Sequence, residues 1–399
     1  MIRATQAQAA HFILTKNYLA AVKAPQLLQL VKEVVGLPGE PAPVPFLAAY
    51  ARLANFSPTD LLTELDQNRR LIQSSLMRSA SYVVATEDFV TLHAATARQH
   101  NQDFNSEFRL WGLDNSEVEA LEKPILEAIG DQPATAETII KRLSASLVRE
   151  LSQTSRGGRV SATNNVALIL RWLAAKGSLA ASQEMLVDPG AMHFDSVSHL
   201  KVGSLTYAPL PTWYPGLDLT TAPSEAEAQA ALVQAYLAAF GPATEADISF
   251  WTGFGKSETA RAVNALASKT TLTLVEGIPG MLLLLKEQAE ALQATPPLSQ
   301  PVVNILPDDD PFVTAHRASR ARYFADQKLQ RHVFNSSGAA QPTLVVNGQI
   351  VGTWEWADHQ LTWRLLVEVD PTFLPLIQAE IERVGAFIQP GLQVVQKTA

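Results

Sequence analysis

Between Lys141 and Lys176 the chain gathers seven cations, Lys141, Arg142, Arg149, Arg156, Arg159, Arg171 and Lys176, against the single acid Glu150. Guanidinium and ammonium groups at this density suit contact with a phosphate backbone, and Gly157-Gly158 between Arg156 and Arg159 gives a loop able to enter a groove. A solvated charged loop fits each residue alone equally well, whereas the cluster as a unit favours nucleic acid. Lys256, Arg261 and Asn264 form a second set, because Arg and Asn read base edges, although Glu258 beside them repels phosphate. Arg78 has two readings, a DNA contact and an ion pair with Glu87 or Asp88. His316, Arg317, Arg320 and Arg322 follow the triple acid Asp308-Asp-Asp310, where an internal ion-pair cluster fits somewhat better than phosphate binding.

Other chemistry lacks its residues. With no cysteine there is no disulfide, thiol nucleophile or thiolate metal site, an iron–sulfur cluster included. His93 and His100 lie seven apart on an expected helix, and no further histidine or carboxylate completes a ligand set, so neither metal nor cofactor is expected. No His-Glu-x-x-His, Gly-x-x-x-x-Gly-Lys or Gly-x-Ser-x-Gly occurs, which removes motif support for metalloprotease, nucleotide hydrolase and esterase readings. The N-terminus has no uninterrupted apolar run, and no stretch approaches the roughly 20 apolar residues of a membrane helix, so a cytoplasmic protein without membrane contact is expected. The 31 Lys and Arg against 39 Asp and Glu argue against a nonspecific DNA-coating protein and leave room for a local basic face.

The elements that carry these groups repeat. In Phe240–Gly253, Gly241 and Pro242 end one helix, Thr244 caps the next, and Asp247 sits at its positive end. That helix closes near Gly253, and a cap at Ser257 launches the periodic run Ala260, Val263, Leu266. Thr271–Glu276 alternates as a half-buried strand, Gly277–Gly280 has turn chemistry, and Met281–Leu285 is a second strand. Helix, turn, helix and hairpin make a winged helix.

Pro133-Ala-Thr135 repeats the pattern, with Ile139, Ile140, Leu143 and Leu147 on the following helix and another helix over Asn165–Lys176. There Glu184–Pro215, rich in Pro, Gly, His and Tyr, reads as irregular structure joining modules. A third copy begins at Ser57-Pro-Thr-Asp60, continues through a wing hairpin at Ser81–Ala85, and ends where Thr86-Glu-Asp88 caps a long helix. From Pro296 short strands dominate, Asn347-Gly348 is a two-residue hairpin turn, and a helix over Pro371–Phe387 closes the chain. The expected class is α+β: tandem winged-helix modules, each a helix-turn-helix plus β-hairpin, followed by a small C-terminal β-barrel. The expected units are 1–128, 129–222, 223–295 and 296–399. Trp251, Trp354 and Trp363 have apolar neighbours and read as core.

Leu76-Met-Arg78, Gly241-Pro-Ala-Thr-Glu-Ala-Asp247 with Trp251-Thr-Gly253, Ile305-Leu-Pro307 with Asp309, and Pro342–Trp354 occur in a particular order. In that order the chain resembles the winged-helix DNA-binding family that includes the bacterial interstrand-crosslink and alkylpurine DNA glycosylases of the AlkZ and YcaQ type. The resemblance covers nearly the whole chain and implies tandem winged helices followed by a barrel. It also implies a Gln-x-Gln or Gln-x-Asp motif that orders the water attacking the anomeric carbon of an alkylated nucleotide. Counting back from Phe46-Leu-Ala-Ala-Tyr-Ala-Arg52 places that motif on Pro38-Gly39-Glu40.

Here the chain departs from the family. Pro38 offers no side-chain hydrogen bond, while the Glu40 carboxylate can orient or deprotonate water and stabilise oxocarbenium character at the sugar. A solvated loop acid between two prolines is the competing reading of Glu40. A histidine expected after the Leu-Met-Arg segment is replaced, with Tyr82 in its place. Three functions follow: a DNA-repair glycosylase acting on duplex DNA, damaged duplexes included, with no cofactor; a noncatalytic DNA-binding protein on the same scaffold; or, more remotely, a protein-interaction scaffold. No obligate protein partner is evident.

Overall fold

The computed structural model describes residues 2–154, 160–187, 200–357 and 359–397, with side chains throughout except at 183–187 and 200–203. The fold is mixed α+β. Among the described residues no helix is long and apolar enough to cross a membrane.

The chain opens with β1 (Ile2–Ala4), α1 (Gln6–Lys16) and α2 (Leu27–Glu33). Then come β2 (Leu37–Pro38), α3 (Pro43–Tyr50) and α4 (Pro58–Leu62). Ser57 and Asp60 cap α4 reciprocally, with proline in the first turn, where its missing N–H costs nothing. β3 (Leu71–Ser75) and β4 (Ser81–Ala85) form a hairpin, and β2 joins β4 to give the order β2-β4-β3. α5 (Thr86–Trp111) has 26 residues and so runs about 39 Å. Its buried positions Phe89, His93, Thr96, His100, Phe104 and Phe108 recur every three or four residues, one stripe facing the interior. Thr86 is the first residue of this helix rather than its cap; Ala85 holds the cap position, and the Thr86 hydroxyl donates to the Arg69 carbonyl at 2.9 Å.

α6 (Asn115–Ile129), β5 (Ala134–Thr135), α7 (Ala136–Arg142), β6 (Glu150–Thr154), β7 (Val160–Asn164) and α8 (Asn165–Ala175) follow. β8 (Leu179–Val187) and β9 (Leu200–Pro209) are long and antiparallel, and α9 (Leu210–Trp213) ends this region. The stretch expected to be irregular thus contains β9, which pairs with both β8 and β5. Its prolines punctuate rather than interrupt: Pro209 ends β9, and Pro211 and Pro215 lie beyond it.

α10 (Glu225–Phe240), α11 (Glu245–Thr252) and α12 (Lys256–Ala265) lead into β10 (Thr270–Val275), β11 (Leu282–Leu285) and α13 (Ala289–Ala294). α11 starts on Thr244 and stops at the left-handed Gly253, as its sequence predicts. α12 begins two residues earlier than the Ser257 cap predicts: Gly255 holds the cap position, and the Glu258 carboxylate accepts from the Gly255 N–H at 2.7 Å. β1 adds in parallel to β10, so residues 2–4 complete a sheet some 270 positions downstream.

The last segment holds β12 (Val303–Leu306), α14 (Pro311–Thr314), β13 (Thr343–Val346), β14 (Gln349–Ala357), β15 (Gln360–Leu365), α15 (Leu374–Ile388) and β16 (Gln393–Gln396). These strands form one sheet in sequence order, and among the described residues no pairing joins β12 to β16. Among the described residues the sheet does not close into the barrel expected. α15 covers it instead, through Ile377, Ile381, Val384 and Ile388, in a cluster that includes Trp354, Trp363 and apolar side chains of α2, α3 and α4. A second cluster wraps α10 and Trp251, a third joins α1 to β12–β14, and a fourth packs α5, α6 and α8. All three tryptophans read as core are buried.

Candidate active site

β2 ends at Pro38, which is buried and paired in register with Tyr82 of β4. Gly39 continues the pairing by donating its N–H to the Ser81 carbonyl at 2.8 Å. A Cβ at Gly39 would lie 2.4 Å from Ser81 Oγ, so only glycine lets the strand approach this closely. The strand therefore delivers Glu40 to a fixed place: the rim of a cleft of about 370 Å³. β3 and the start of β4 form one wall, α5 and α8 form the floor, and β8 with β9 forms the other wall.

Three carboxylates line this cleft, and two are engaged. Asp103 accepts from Ser79 Oγ at 2.6 Å, and Glu107 pairs with Arg171 at 2.9 Å. Glu40 is exposed and, among the described residues, has neither a hydrogen-bond nor an ion-pair partner. Arg171 is the sole cation among the lining residues, so the described walls are acidic rather than basic. Such a site favours positive charge developing on a bound group. Tyr82 faces away from the cleft: alternation along β4 puts Ser81 in it and Tyr82 in the core, edge-on to Trp251 at 6.4 Å. Burial pushes the Tyr82 hydroxyl pKa up.

The cations expected to contact nucleic acid are mostly paired with acids from outside their own stretch. Arg149 bridges to Glu117 at 2.6 Å and to the Gly112 carbonyl, Lys176 to Glu122, and Lys141 to Glu137. Arg142 donates to the Ala128 and Ile129 carbonyls, capping the C-terminal end of α6. Arg156 and Arg159 lie outside the described residues. Lys256 is exposed at the start of α12, and Arg261 on the same helix donates to Gln229 Oε1 at 3.1 Å. Glu40 and Arg171 are thus brought to one cleft, while Arg149, Lys256 and Arg261 sit elsewhere.

Arg78 does not pair with Glu87, which bridges to Lys32 instead. Its guanidinium lies 4.6 Å from the Phe250 ring centroid, and Arg317 stacks on the same ring at 4.8 Å. The remaining residues of the 308–322 run are structural. Asp310 makes a two-point bond to Arg52 at 2.7 and 2.8 Å with both side chains wholly buried, joining the end of the Phe46–Arg52 segment to the residue that follows Asp309. His316 Nε2 donates to the Phe240 carbonyl at 3.0 Å, and its Nδ1 lies 2.6 Å from Tyr323 Oη. Arg322 donates to the Pro242 carbonyl at 3.0 Å and Arg320 to the Gly338 carbonyl at 3.2 Å.

Asp247 is the centre of this buried network. It accepts from the Ala318 and Ser319 N–H groups at 2.7 and 3.1 Å, from Ser319 Oγ at 2.7 Å and from the Thr244 N–H at 3.0 Å. Burial alone would raise its pKa, but His316, these donors and Arg322 together hold it down at about 2. The residues reasoning from sequence missed are Gln73, Ser79, Ser81, Asp103 and Glu107. Strand alternation could have put Gln73 and Ser81 on polar faces, but nothing local says that those faces meet α5 and α8.

Residues 31–387 match the family described as DNA glycosylase AlkZ-like. An interstrand DNA cross-link repair glycosylase from Streptomyces sahachiroi is 28% identical over 155 residues, 38% of this chain and 40% of that protein. The alignment thus spans less than half of the curated relative. The solved structure of the Streptomyces sahachiroi DNA glycosylase AlkZ superposes with a TM-score of 0.76, covers 100% of both chains and is 18% identical, a likeness of fold. With the family match covering most of its length, the chain belongs to the AlkZ-like DNA glycosylase family.

Proposed function

We propose that this protein hydrolyses the N-glycosidic bond of alkylated or crosslinked purines in duplex DNA, with Glu40 as the water-activating carboxylate. The observation that carries this reading is the state of the three cleft acids: Asp103 and Glu107 are committed, and Glu40 is free among the described residues. In the proposed step a water attacks C1′ of the sugar, Glu40 takes its proton, and the bond to the base breaks with its electron pair leaving on the base. The acid-lined cleft stabilises the oxocarbenium-like sugar in between. A purine alkylated at N7 leaves as a neutral base, so the leaving group demands little protonation. The cleft is open at its rim, which suits a bulky lesion met without complete base flipping.

We also read the three helix, turn, helix and hairpin regions as winged helices, with 1–128, 129–222, 223–295 and 296–399 as the units. Arg78, Arg149, Arg156, Arg159, Arg171, Lys256 and Arg261 are then the cations that meet phosphate, exchanging their present partners for DNA where they are paired. One observation favours a second reading. Pro38 is buried and carries no hydrogen-bonding side chain, as in a scaffold that retained DNA binding and lost chemistry.

Incubation with a duplex containing 7-methylguanine, and with a crosslinked duplex, separates the two. Release of the modified base or unhooking of the crosslink supports the glycosylase. Salt-dependent duplex binding with neither product supports the noncatalytic reading, and no binding at low salt leaves a protein-interaction scaffold.

A further inference from the structure

One carboxylate fixes only one hydrogen of an attacking water; holding the oxygen lone pair on C1′ requires a second acceptor for the other hydrogen. Pro38 cannot supply it. Asp103 and Glu107 already accept from Ser79 and Arg171, and neither hydrogen-bonds the peptide that carries Glu40 among the described residues. Gln73, half-buried on β3, lines the same cleft as Glu40, and its Nε2 lies 3.0 Å from the Gly39 carbonyl and 3.0 Å from Ser81 Oγ. The orientation of this amide is fixed by chemistry: the Gly39 carbonyl only accepts, so the atom facing it must be the nitrogen. Both Nε2 hydrogens are thereby used, and Oε1 is the part of the side chain left to bond something else. The Gly39 carbonyl belongs to the peptide that joins Gly39 to Glu40, so the amide is tied to the backbone that sets the Glu40 position.

We infer that Gln73 is a second catalytic residue, its Oε1 accepting a hydrogen from the water that Glu40 deprotonates. This rests on the glycosylase reading above. The β2–β4 pairing and Ser81 pre-orient the amide, so it pays no ordering cost at the moment of reaction.

The test is single-turnover excision of 7-methylguanine from a duplex, with protein in saturating excess, for wild type, Gln73→Ala, Glu40→Gln and the double variant. Gln73→Ala is expected to slow excision about 10²-fold, with duplex affinity and Tm close to wild type. The double variant is expected to be little slower than Glu40→Gln alone, because both residues act on one water. Ser81→Ala, which frees one Nε2 hydrogen, is expected to show a smaller loss in the same rate and covers the case in which Gln73→Ala folds poorly. Excision by wild type that Gln73→Ala and Ser81→Ala leave unchanged, or losses that simply multiply in the double variant, would overturn the role of Gln73 and leave the glycosylase standing. Absence of excision by wild type would overturn both.

Discussion

Glu40 and Asp310 are both acids that stand within three residues of a proline, Pro38 and Pro307, and the molecule treats them in opposite ways. Glu40 stands exposed at the rim of a cleft with no partner among the described residues; Asp310 is wholly buried and held at two points by Arg52. Asp247 belongs with Asp310, since five hydrogen bonds converge on its carboxylate. The contrast separates two kinds of conspicuous residue. Asp247, in one of the family's words, and Asp310, beside another, tie α11 and the chain just after α3 to the C-terminal segment, and their oxygens are occupied in doing so. Glu40, with no partner among the described residues, lies in a stretch that is unremarkable in sequence.

If that division is right, stability and activity should respond to different substitutions. The largest stability effect is expected for Asp310→Ala, which leaves the Arg52 guanidinium buried without its counter-charge and should cost about 3–5 kcal/mol in urea unfolding. A loss below about 1 kcal/mol would break the comparison from the structural side. Next comes Asp247. Its folded pKa of about 2 lies below the ordinary value of 3.8, so its stabilisation is complete above that ordinary value and is lost as pH falls through about 2. Between about pH 5 and 2 the wild type should lose roughly 2 kcal/mol more than Asp247→Asn, measured by denaturant titration at each pH.

His93 and His100 sharpen the picture nearer neutrality. Each is buried with Nε2 on a carbonyl, that of Ala175 and Leu76 respectively, and burial pushes both pKa values down. The unfolded chain therefore takes up protons first, and stability should fall as pH drops below about 6.5, with a shallower slope in His100→Gln. The smallest effects belong to the surface ion pairs away from the cleft. Arg149→Ala removes a surface ion pair and should cost under about 1 kcal/mol, while lowering the salt dependence of duplex binding if that arginine meets phosphate.

Local signals made much of the scaffold legible. Thr244, Asp247 and Gly253 fix both ends of α11, Ser57-Pro58 starts α4, and Asn347-Gly348 turns between β13 and β14 with both residues at positive φ. What stayed hidden depends on distant partners. β1 joins β10 across the length of the chain, and Arg52 meets Asp310 at a separation of 258 residues. The basic run from Lys141 to Lys176 looked unopposed because Glu107, Glu117 and Glu122, on α5 and α6, lie upstream of it. β9 was concealed by the prolines around its end, Pro209 among them, and what stands where a barrel was expected is, among the described residues, a sheet without a closing pair, covered by α15. Of the site itself, Glu40 was reached by family resemblance alone. Gln73 and Ser81 needed the pairing of β2 with β4 to be seen beside it.

The central claim is that the exposed cleft carboxylate, Glu40, performs the chemistry while the buried acids hold the frame. It is tested most directly by the single-turnover rate of 7-methylguanine release for Glu40→Gln against wild type, at saturating protein and with Tm and duplex affinity measured alongside. The account predicts a loss of about 10²- to 10⁴-fold in rate with both controls unchanged. Equal rates for the two proteins would contradict it.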